Sequence, residues 1–258
     1  MKSIAQLRIR SGVLAVAATL AGAVSAAHAN FSDPILTFSA SNAQGSGSFS
    51  VSLADAQFNN GEIVVWNLVG GINIMDGANT IGSVNTAQLT LQTFTPASSQ
   101  ALVALSFNVT GGLADTEFTI TSSLVDAFLI QNAQARATGT FSVTDGNLNG
   151  ATLTGLHAGG GLYNAMYNGG SSFTELFTSG PYNVGVSGST GGAEDVPFGP
   201  GNFSPLGVDV DDIQAQWHFR ITAGDQAAGT SNFIVMIPAP GGLALLAVGG
   251  LAATRRRR

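Results

Sequence analysis

Residues 213–222 have the sequence IQAQWHFRIT, in which apolar and polar side chains alternate without a break. Successive side chains of a β-strand point to opposite faces, so this segment is predicted to be a strand with one buried face and one face in solvent. Shorter segments alternate in the same way at residues 47–54, 87–94, 117–123 and 138–146. Strands that are buried on one face only are typical of antiparallel sheets.

Turn-forming dipeptides lie between the alternating segments at short intervals. Those that accept the positive φ angles of tight turns are Asn60-Gly61, Asp76-Gly77, Asp145-Gly146, Asn149-Gly150 and Asn168-Gly169. No long segment has a capped helical pattern, and residues 124–135 come nearest to one. We therefore predict an all-β body over residues 30–236, built as an antiparallel β-sandwich or jelly roll. Residues 185–207, rich in Gly and Ser, are predicted to be either a long loop or a domain boundary.

The composition limits the chemistry of the body. The chain has no cysteine, which excludes thiol catalysis, cysteine-bound zinc and iron–sulfur clusters. All fifteen acids lie between the two ends of the chain, together with two of the nine cations, Arg136 and Arg220. Two cations against fifteen acids give the body a formal charge of −13. Such a surface repels phosphate backbones, so we expect no nucleic-acid partner.

The body lacks the sequence patterns of common active sites. Its histidines, His157 and His218, are about sixty residues apart and belong to no ligand or catalytic pair in the sequence, so each is interpreted as a surface residue. No Gly-x-Ser-x-Gly segment is present, and a serine nucleophile needs an oriented base. We therefore expect that the body is not an enzyme. A polysaccharide-cleaving pair of carboxylates is left open, because its members can be distant in sequence.

Asp209, Asp211 and Asp212 form the densest acidic cluster and come just before the strand at 213–222. Asp-x-Asp spacing puts two carboxylates on one side of an extended chain, which suits calcium. These residues are the candidate metal ligands, although acids beside a strand also keep it soluble. No cofactor other than calcium is expected.

Three tyrosines, Tyr163, Tyr167 and Tyr182, lie in or near Gly- and Asn-rich turns. Exposed tyrosines beside amides can stack on sugars and form hydrogen bonds with them. Such rings more often pack against the sandwich, which is the favoured interpretation, and sugar stacking is the alternative.

Residues 1–29 have the three parts of a secretory signal peptide. A basic start precedes an apolar run over residues 12–24. Ala27 and Ala29 supply the small residues that signal peptidase requires, which predicts cleavage before Asn30. The chain is therefore expected to begin with a signal helix and to be exported.

Residues 237–258 combine a proline motif, a run of small apolar residues and a cluster of cations. The motif is Pro238-Ala239-Pro240, and the cations are Arg255, Arg256, Arg257 and Arg258. Counted back to Phe233, residues 233–253 form about 21 uncharged residues before the arginines, enough for a transmembrane helix. Arginines cross a membrane only at high energetic cost, so they are expected to stay in the cytoplasm while the body faces away from it.

This combination resembles the PEP-CTERM sorting signal of bacteria that make extracellular polysaccharide, with Ala239 in the place of the usual glutamate. The resemblance implies that exosortase, a membrane protease, cuts near the proline motif and passes the body to the surface or matrix. A membrane anchor that is never cleaved is the alternative.

Together, the two ends and the missing catalytic motifs predict a non-enzymatic protein that is tethered to the inner membrane and then delivered to the cell surface or extracellular matrix. The expected partners are signal peptidase, an exosortase-type protease and the membrane, with exopolysaccharide as a further partner. Two alternatives stay open. One is a carbohydrate- or calcium-binding adhesin that uses residues 157–212, and the other is an exported polysaccharide-active enzyme.

Overall fold

The structure is a computed structural model that describes residues 31–59, 63–95 and 98–238. Several residues that the sequence predicts for processing and anchoring lie outside the described residues, namely Ala27, Ala29, Asn30, Ala239, Pro240 and Arg255 to Arg258. The predicted signal helix lies outside them in the same way, as does the part of the predicted transmembrane segment from residue 239 onward. The first four residues of that segment, 233–236, are not helical as predicted but end a β-strand that is paired on both sides. No helix in the described part of the chain has both the length and the hydropathy that are needed to cross a bilayer.

Eighteen β-strands and one turn of 3₁₀ helix, Leu53–Asp55, form the regular structure of the described residues. In chain order the strands are β1 (Leu36–Asn42), β2 (Gly45–Val51), β3 (Gln57–Asn59), β4 (Ile63–Asn67), β5 (Ile72–Asp76), β6 (Asn79–Gln92), β7 (Gln100–Gly111), β8 (Thr116–Ser122), β9 (Val125–Ile130), β10 (Gln134–Thr144), β11 (Ala151–Gly155), β12 (Tyr163–Tyr167), β13 (Ser171–Leu176), β14 (Tyr182–Val184), β15 (Ser189–Val196), β16 (Ser204–Pro205), β17 (Val210–Ile221) and β18 (Gln226–Met236).

The strands form two antiparallel sheets that pack face to face. Sheet A has the order β13-β12-β17-β8-β1-β2, with β9 and β11 also paired with β17 and β14 paired with β11. Sheet B has the order β15-β10-β18-β7-β6-β4-β3, with β16 paired with β10 and β5 paired with β6. The prediction of an all-β antiparallel sandwich is therefore confirmed.

Strand β17 includes nearly all of the alternating segment at residues 213–222 and occupies the centre of sheet A. It pairs with β12 and β11 along one edge and with β9 and β8 along the other. Its alternate side chains are buried as predicted and face sheet B: Ile213, Ala215, Trp217, Phe219 and Ile221. Its remaining side chains form part of the outer face of sheet A.

Aromatic rings from both sheets meet in the middle of the core. The ring centroid of Phe107, on β7, lies 5.2 Å from that of Trp217 and 5.8 Å from that of Phe219. Gly229 on β18 makes this approach possible, because a Cβ atom there would lie 2.7 Å from Phe107 Cζ and 2.9 Å from a ring carbon of Trp217. The packing of large rings supplies much of the apolar burial that holds the two sheets together.

Two segments differ from their sequence pattern. Residues 124–135, the nearest to a helical pattern, form β9 and the beginning of β10, because pairing with β17 and burial of Val125 and Ile130 override a weak local preference. The irregular stretch 185–207 contains β15, which pairs with β10 over eight residues and is the edge strand of sheet B.

Candidate functional site

The outer face of sheet B, opposite the core, carries two rows of side chains that cross five neighbouring strands. The strand register places one row in the order Asp195, Thr138, Asn232, Ala104 and Thr90. The parallel row beside it is Ala193, Thr140, Thr230, Ser106 and Gln88. Strands in a sheet are about 4.8 Å apart, so each row extends over about 19 Å.

Two cavities follow these rows and share Thr230 and Asn232. The larger, with a volume of about 710 Å³, lies over β10, β15 and β18, and the smaller, of about 200 Å³, lies over β6, β7 and β18. The two rows line them together with Arg136, Glu194 and Phe198. We call the two cavities together the sheet B trough.

Most polar groups in the sheet B trough are hydroxyls and amides. The hydroxyls of Thr140 and Thr230 form a hydrogen bond of 2.7 Å across neighbouring strands. The side chains of Thr138, Ser106 and Asn232 form no hydrogen bond with another described residue, so their donors and acceptors remain available. Hydroxyl and amide groups both donate and accept, which lets them bind a ligand that is itself rich in hydroxyls.

Arg136 and Asp195 form an ion pair at one end of the sheet B trough. Arg136 Nε donates to Asp195 Oδ1 at 2.9 Å and Nη2 donates to Oδ2 at 2.6 Å. The hydrogen bond to Arg136 lowers the pKa of Asp195, and the same bond raises the pKa of Arg136. Because both oxygens of Asp195 are engaged, this carboxylate is held in one position and its charge is balanced.

Glu194 lines the larger cavity, but its carboxylate points to the other face of the sheet, because Glu194 lies between Ala193 and Asp195 and pairs with Gly139. On that inner face its Oε2 atom accepts a hydrogen bond of 2.7 Å from the backbone N–H of Phe177. Asp195 is therefore the carboxylate that these residues present to the trough, and Arg136 holds it.

Phe198 stands at the same end of the trough, in the loop that follows β15. Its side chain is 88% exposed, which is unusual for a large aromatic ring. The sequence carries no binding motif at Phe198, which lies in the irregular stretch 185–207. The sequence Phe198-Gly-Pro-Gly-Asn202 offers one indication of its exposure, because the ring has only Gly, Pro and Asn as its following neighbours.

The predicted calcium ligands serve as loop contacts in the structure. Asp209 Oδ1 accepts a hydrogen bond from Asn132 N at 3.1 Å, and Asp212 Oδ1 accepts one from Gly169 N at 3.0 Å. Asp211 contributes its backbone N–H, which donates to a side-chain oxygen of Asn168. Across the described ranges, no group of three or more acidic or histidine side chains is arranged to hold a metal ion. Calcium binding at these three aspartates stays a prediction.

Packing of the tyrosines, the favoured interpretation of the sequence, is confirmed for Tyr163, whose side chain is completely buried and is not available to stack on a sugar. Its ring packs against Trp217 at a centroid distance of 5.2 Å. The Tyr182 ring is partly buried and packs on Phe141 at 4.2 Å. Tyr167 is also partly buried against the core. These rings fill space between strands, as the packing interpretation of the sequence predicts.

His157 and His218, which the sequence presents as two separate residues, lie next to each other on the outer face of sheet A. Their ring centroids are 5.7 Å apart, and the two ring planes are nearly perpendicular. The sequence contains no signal for this contact, because it depends on the pairing of β17 with the turn that follows β11.

No protein-family model matches the chain, and no curated protein matches its sequence. Among solved structures, that of TmCBM61 in complex with β-1,4-galactotriose shares 10% identity, over 59% of this chain and 88% of that chain, with a TM-score of 0.26. The enzymatically active domain of tailspike protein 4 from bacteriophage CBA120 shares 11%, over 69% and 21%, with a TM-score of 0.25. A structure of infectious bursal disease virus, Gx strain, shares 9%, over 80% and 57%, with a TM-score of 0.26. Function is therefore inferred from the residues of this chain alone.

Proposed function

We propose that the chain is an exported, non-enzymatic protein of the cell surface or extracellular matrix whose body binds a neutral polysaccharide in the sheet B trough. The observation that carries the proposal is the trough, which combines two rows of small polar side chains with an exposed aromatic ring. Binding sites of this size generally contain an apolar surface and a few polar groups that fix the ligand's orientation.

The chemistry of the trough suits an uncharged chain of sugars. The available groups of Thr138, Asn232 and Ser106 are donors and acceptors without formal charge, as sugar hydroxyls are. Phe198 offers an apolar ring face on which the C–H side of a sugar can lie. An anionic polysaccharide is disfavoured, because the body carries a charge of −13 and Arg136 is already paired with Asp195.

The acidic residues that line the trough favour binding without hydrolysis. Glycoside hydrolysis uses two carboxyl groups on either side of the scissile bond, one of them able to give a proton. Asp195 is held by Arg136 with a lowered pKa, and Glu194 accepts a hydrogen bond from Phe177 N. Neither group is placed to act as an acid, so we propose that the bound chain is retained intact.

Export is proposed from the two ends of the sequence. A signal peptide cleaved between Ala29 and Asn30 sends the body across the inner membrane. The tail, with Pro238-Ala239-Pro240 and four arginines, then holds it there until an exosortase-type protease cuts. Mass spectrometry of the protein from its native host tests this: we expect an N-terminus at Asn30 and a C-terminus near Pro238. A full-length cytoplasmic protein that keeps Met1 would overturn the export proposal.

Polysaccharide binding is tested by affinity electrophoresis of the purified full chain in gels that contain soluble glucans, galactans or, as an anionic counterpart, alginate. We expect a neutral polysaccharide to retard the protein and alginate to leave its mobility unchanged. Substitution of Phe198→Ala or Asn232→Ala is expected to weaken the affinity about three- to tenfold, the loss of roughly one modest contact.

Two control variants separate the trough from the rest of the surface. Val69→Ala removes a side chain that is 96% exposed and lines neither cavity of the trough, and Ser48→Ala removes a hydroxyl from the outer face of sheet A. Both are expected to bind as the wild type does. The proposed site would be overturned if no neutral polysaccharide retarded the protein. It would also be overturned if neither trough variant changed the retardation. Release of shorter sugars during incubation would contradict the non-enzymatic part.

A further inference from the structure

His157 and His218 are brought together by the backbone. Leu156 N donates to His218 O at 3.0 Å, and His218 N donates to Leu162 O at 2.9 Å, so the turn between these two leucines is fixed against β17. The carboxylate of Glu175 braces this turn by accepting hydrogen bonds from its backbone N–H groups. The backbone hydrogen bonds therefore hold the two rings in contact.

Each imidazole is oriented by an oxygen acceptor at its Nε2 atom. His157 Nε2 lies 3.2 Å from the backbone oxygen of Gln216, and His218 Nε2 lies 2.8 Å from Glu117 Oε1. A carbonyl or carboxylate oxygen can only accept, so in both rings Nε2 carries the proton. In the neutral ring Nδ1 then has an unprotonated lone pair. Neither Nδ1 atom forms a hydrogen bond with another described residue.

This arrangement is the one that metal-binding histidines use. A histidine ligand normally donates its second ring N–H to a carboxylate or backbone carbonyl, which fixes the tautomer and increases the basicity of the other nitrogen. Glu117 and the Gln216 carbonyl occupy those positions here. The His218 side chain is 27% exposed, so an ion can reach it from solvent.

The two rings differ in their electrostatic surroundings. Burial lowers the pKa of His157, an effect that the Gln216 carbonyl and Glu175 oppose and that His218 reinforces. The charged groups near His218 are Glu117 and Arg220, whose Nη2 atom lies 3.8 Å from Glu117 Oε2.

We propose that Nδ1 of His157 and Nδ1 of His218 bind one divalent transition-metal ion of the class that prefers imidazole, such as Cu²⁺ or Zn²⁺, with water in the remaining positions. Two imidazoles on one ion at a metal–nitrogen distance of about 2.0–2.1 Å place their ring centroids roughly 5–6.5 Å apart. The observed 5.7 Å lies in this interval. The site is distinct from the sheet B trough and from the three aspartates at 209–212.

The test is a calorimetric titration of the full chain, purified without a polyhistidine tag, with CuCl₂, ZnCl₂ and CaCl₂. We expect one ion of Cu²⁺ or Zn²⁺ per chain, Cu²⁺ being the tighter, and no binding of Ca²⁺ at the histidines. His157→Gln and His218→Gln are each expected to abolish it. Glu117→Gln removes a charged support and is expected to weaken the affinity about 10–100-fold. Ser48→Ala, on β2 of the same sheet, leaves both imidazoles and their acceptors in place and is the control that is expected to bind as the wild type does.

A second measurement does not depend on the stability of any variant. In two-bond ¹H–¹⁵N spectra of the wild-type imidazoles, Zn²⁺ is expected to shift both Nδ1 resonances and leave Nε2 protonated. Unchanged ring nitrogens at saturating Zn²⁺, or binding that survives both histidine substitutions, would overturn the proposal.

Discussion

The indole Nε1 of Trp217 donates a hydrogen bond of 3.1 Å to Ser231 Oγ, and this bond joins the two sheets through the centre of the core. Both residues are almost completely buried. Trp217 lies on β17 in sheet A, and Ser231 lies on β18 in sheet B. A buried indole N–H without an acceptor would carry its full cost of desolvation, so the serine is specifically required opposite this ring.

Substitution of Ser231→Ala is expected to lower the free energy of unfolding by about 1–3 kcal/mol, since it leaves the Trp217 donor buried without an acceptor. Urea denaturation measures the effect. Asn232→Ala, one residue further along β18 and facing outward, is the matched control and is expected to change stability by less than about 0.5 kcal/mol. Equal effects of the two substitutions would contradict the role assigned to Ser231.

Replacement of Gly229 by alanine is expected to lower the stability of the fold. The Cβ atom of Gly229→Ala would lie under 3 Å from Phe107 and Trp217, and overpacking of this kind costs about 1–3 kcal/mol. Thermal denaturation followed by near-UV circular dichroism reports both the loss of stability and the disturbed tryptophan. Gly185→Ala has open space around the new Cβ and serves as the control. A Gly229→Ala variant as stable as the wild type would show that the rings can move apart.

Tyr163 is expected to tolerate loss of its hydroxyl. Its oxygen is buried and has no hydrogen-bond partner of good geometry among the described residues, and burial raises its pKa although the neighbouring Ser231 opposes this. Tyr163→Phe should therefore leave the free energy of unfolding unchanged or raise it by up to about 1 kcal/mol. A clear loss of stability in urea would mean that the hydroxyl does share Ser231 with Trp217.

Asp145 is expected to make stability depend on pH. Burial alone would raise its pKa, but hydrogen bonds from the backbone N–H groups of Ser187, Gly150, Asn149 and Asn147 outweigh burial and lower it. A carboxylate whose folded pKa is depressed stabilises the protein above its unfolded pKa, about 3.9, and loses that contribution as pH falls through the folded value. The melting temperature of Asp145→Asn should thus lie below that of the wild type at pH 7.

The same comparison at lower pH provides the check on this prediction. As pH falls below the unfolded pKa of about 3.9 toward the lowered folded pKa, the wild-type contribution is progressively lost, so the two melting temperatures are expected to converge. A difference that stays constant from pH 7 to pH 2.5 would show that charge at Asp145 is not the cause.

The sequence was sufficient to predict strands whose two faces differ strongly. In β17 the alternation from Ile213 to Ile221 matches the burial of each side chain, because one face of a sandwich strand meets the core and the other meets water. Strand order was not predictable in this way. The pairing of β10 with β18, which are about ninety residues apart, brings Thr140 against Thr230, and nothing local in either segment specifies that partner.

The candidate sites were harder to predict for the same reason. Thr138, Thr140 and Asn232 are ordinary outward-facing residues until the register aligns them, and Phe198 becomes notable only once its exposure is known. For the tyrosines, the sequence left open an exposure that the fold does not give them. Tyr163 sits next to a Gly-rich turn, yet it is the first residue of β12 and its ring points into the core.

Strand β18 has a mechanical consequence if the proposed tail tethers the body. Its eleven residues pair with β10 on one side and with β7 on the other, and the proposed tail begins directly after it. Hydrogen bonds in an antiparallel ladder lie perpendicular to the strand, so a pull along β18 loads both ladders at once instead of opening them one bond at a time. Tension applied through the proposed tail would therefore load the body in shear, through a strand that is paired along its full length on both sides.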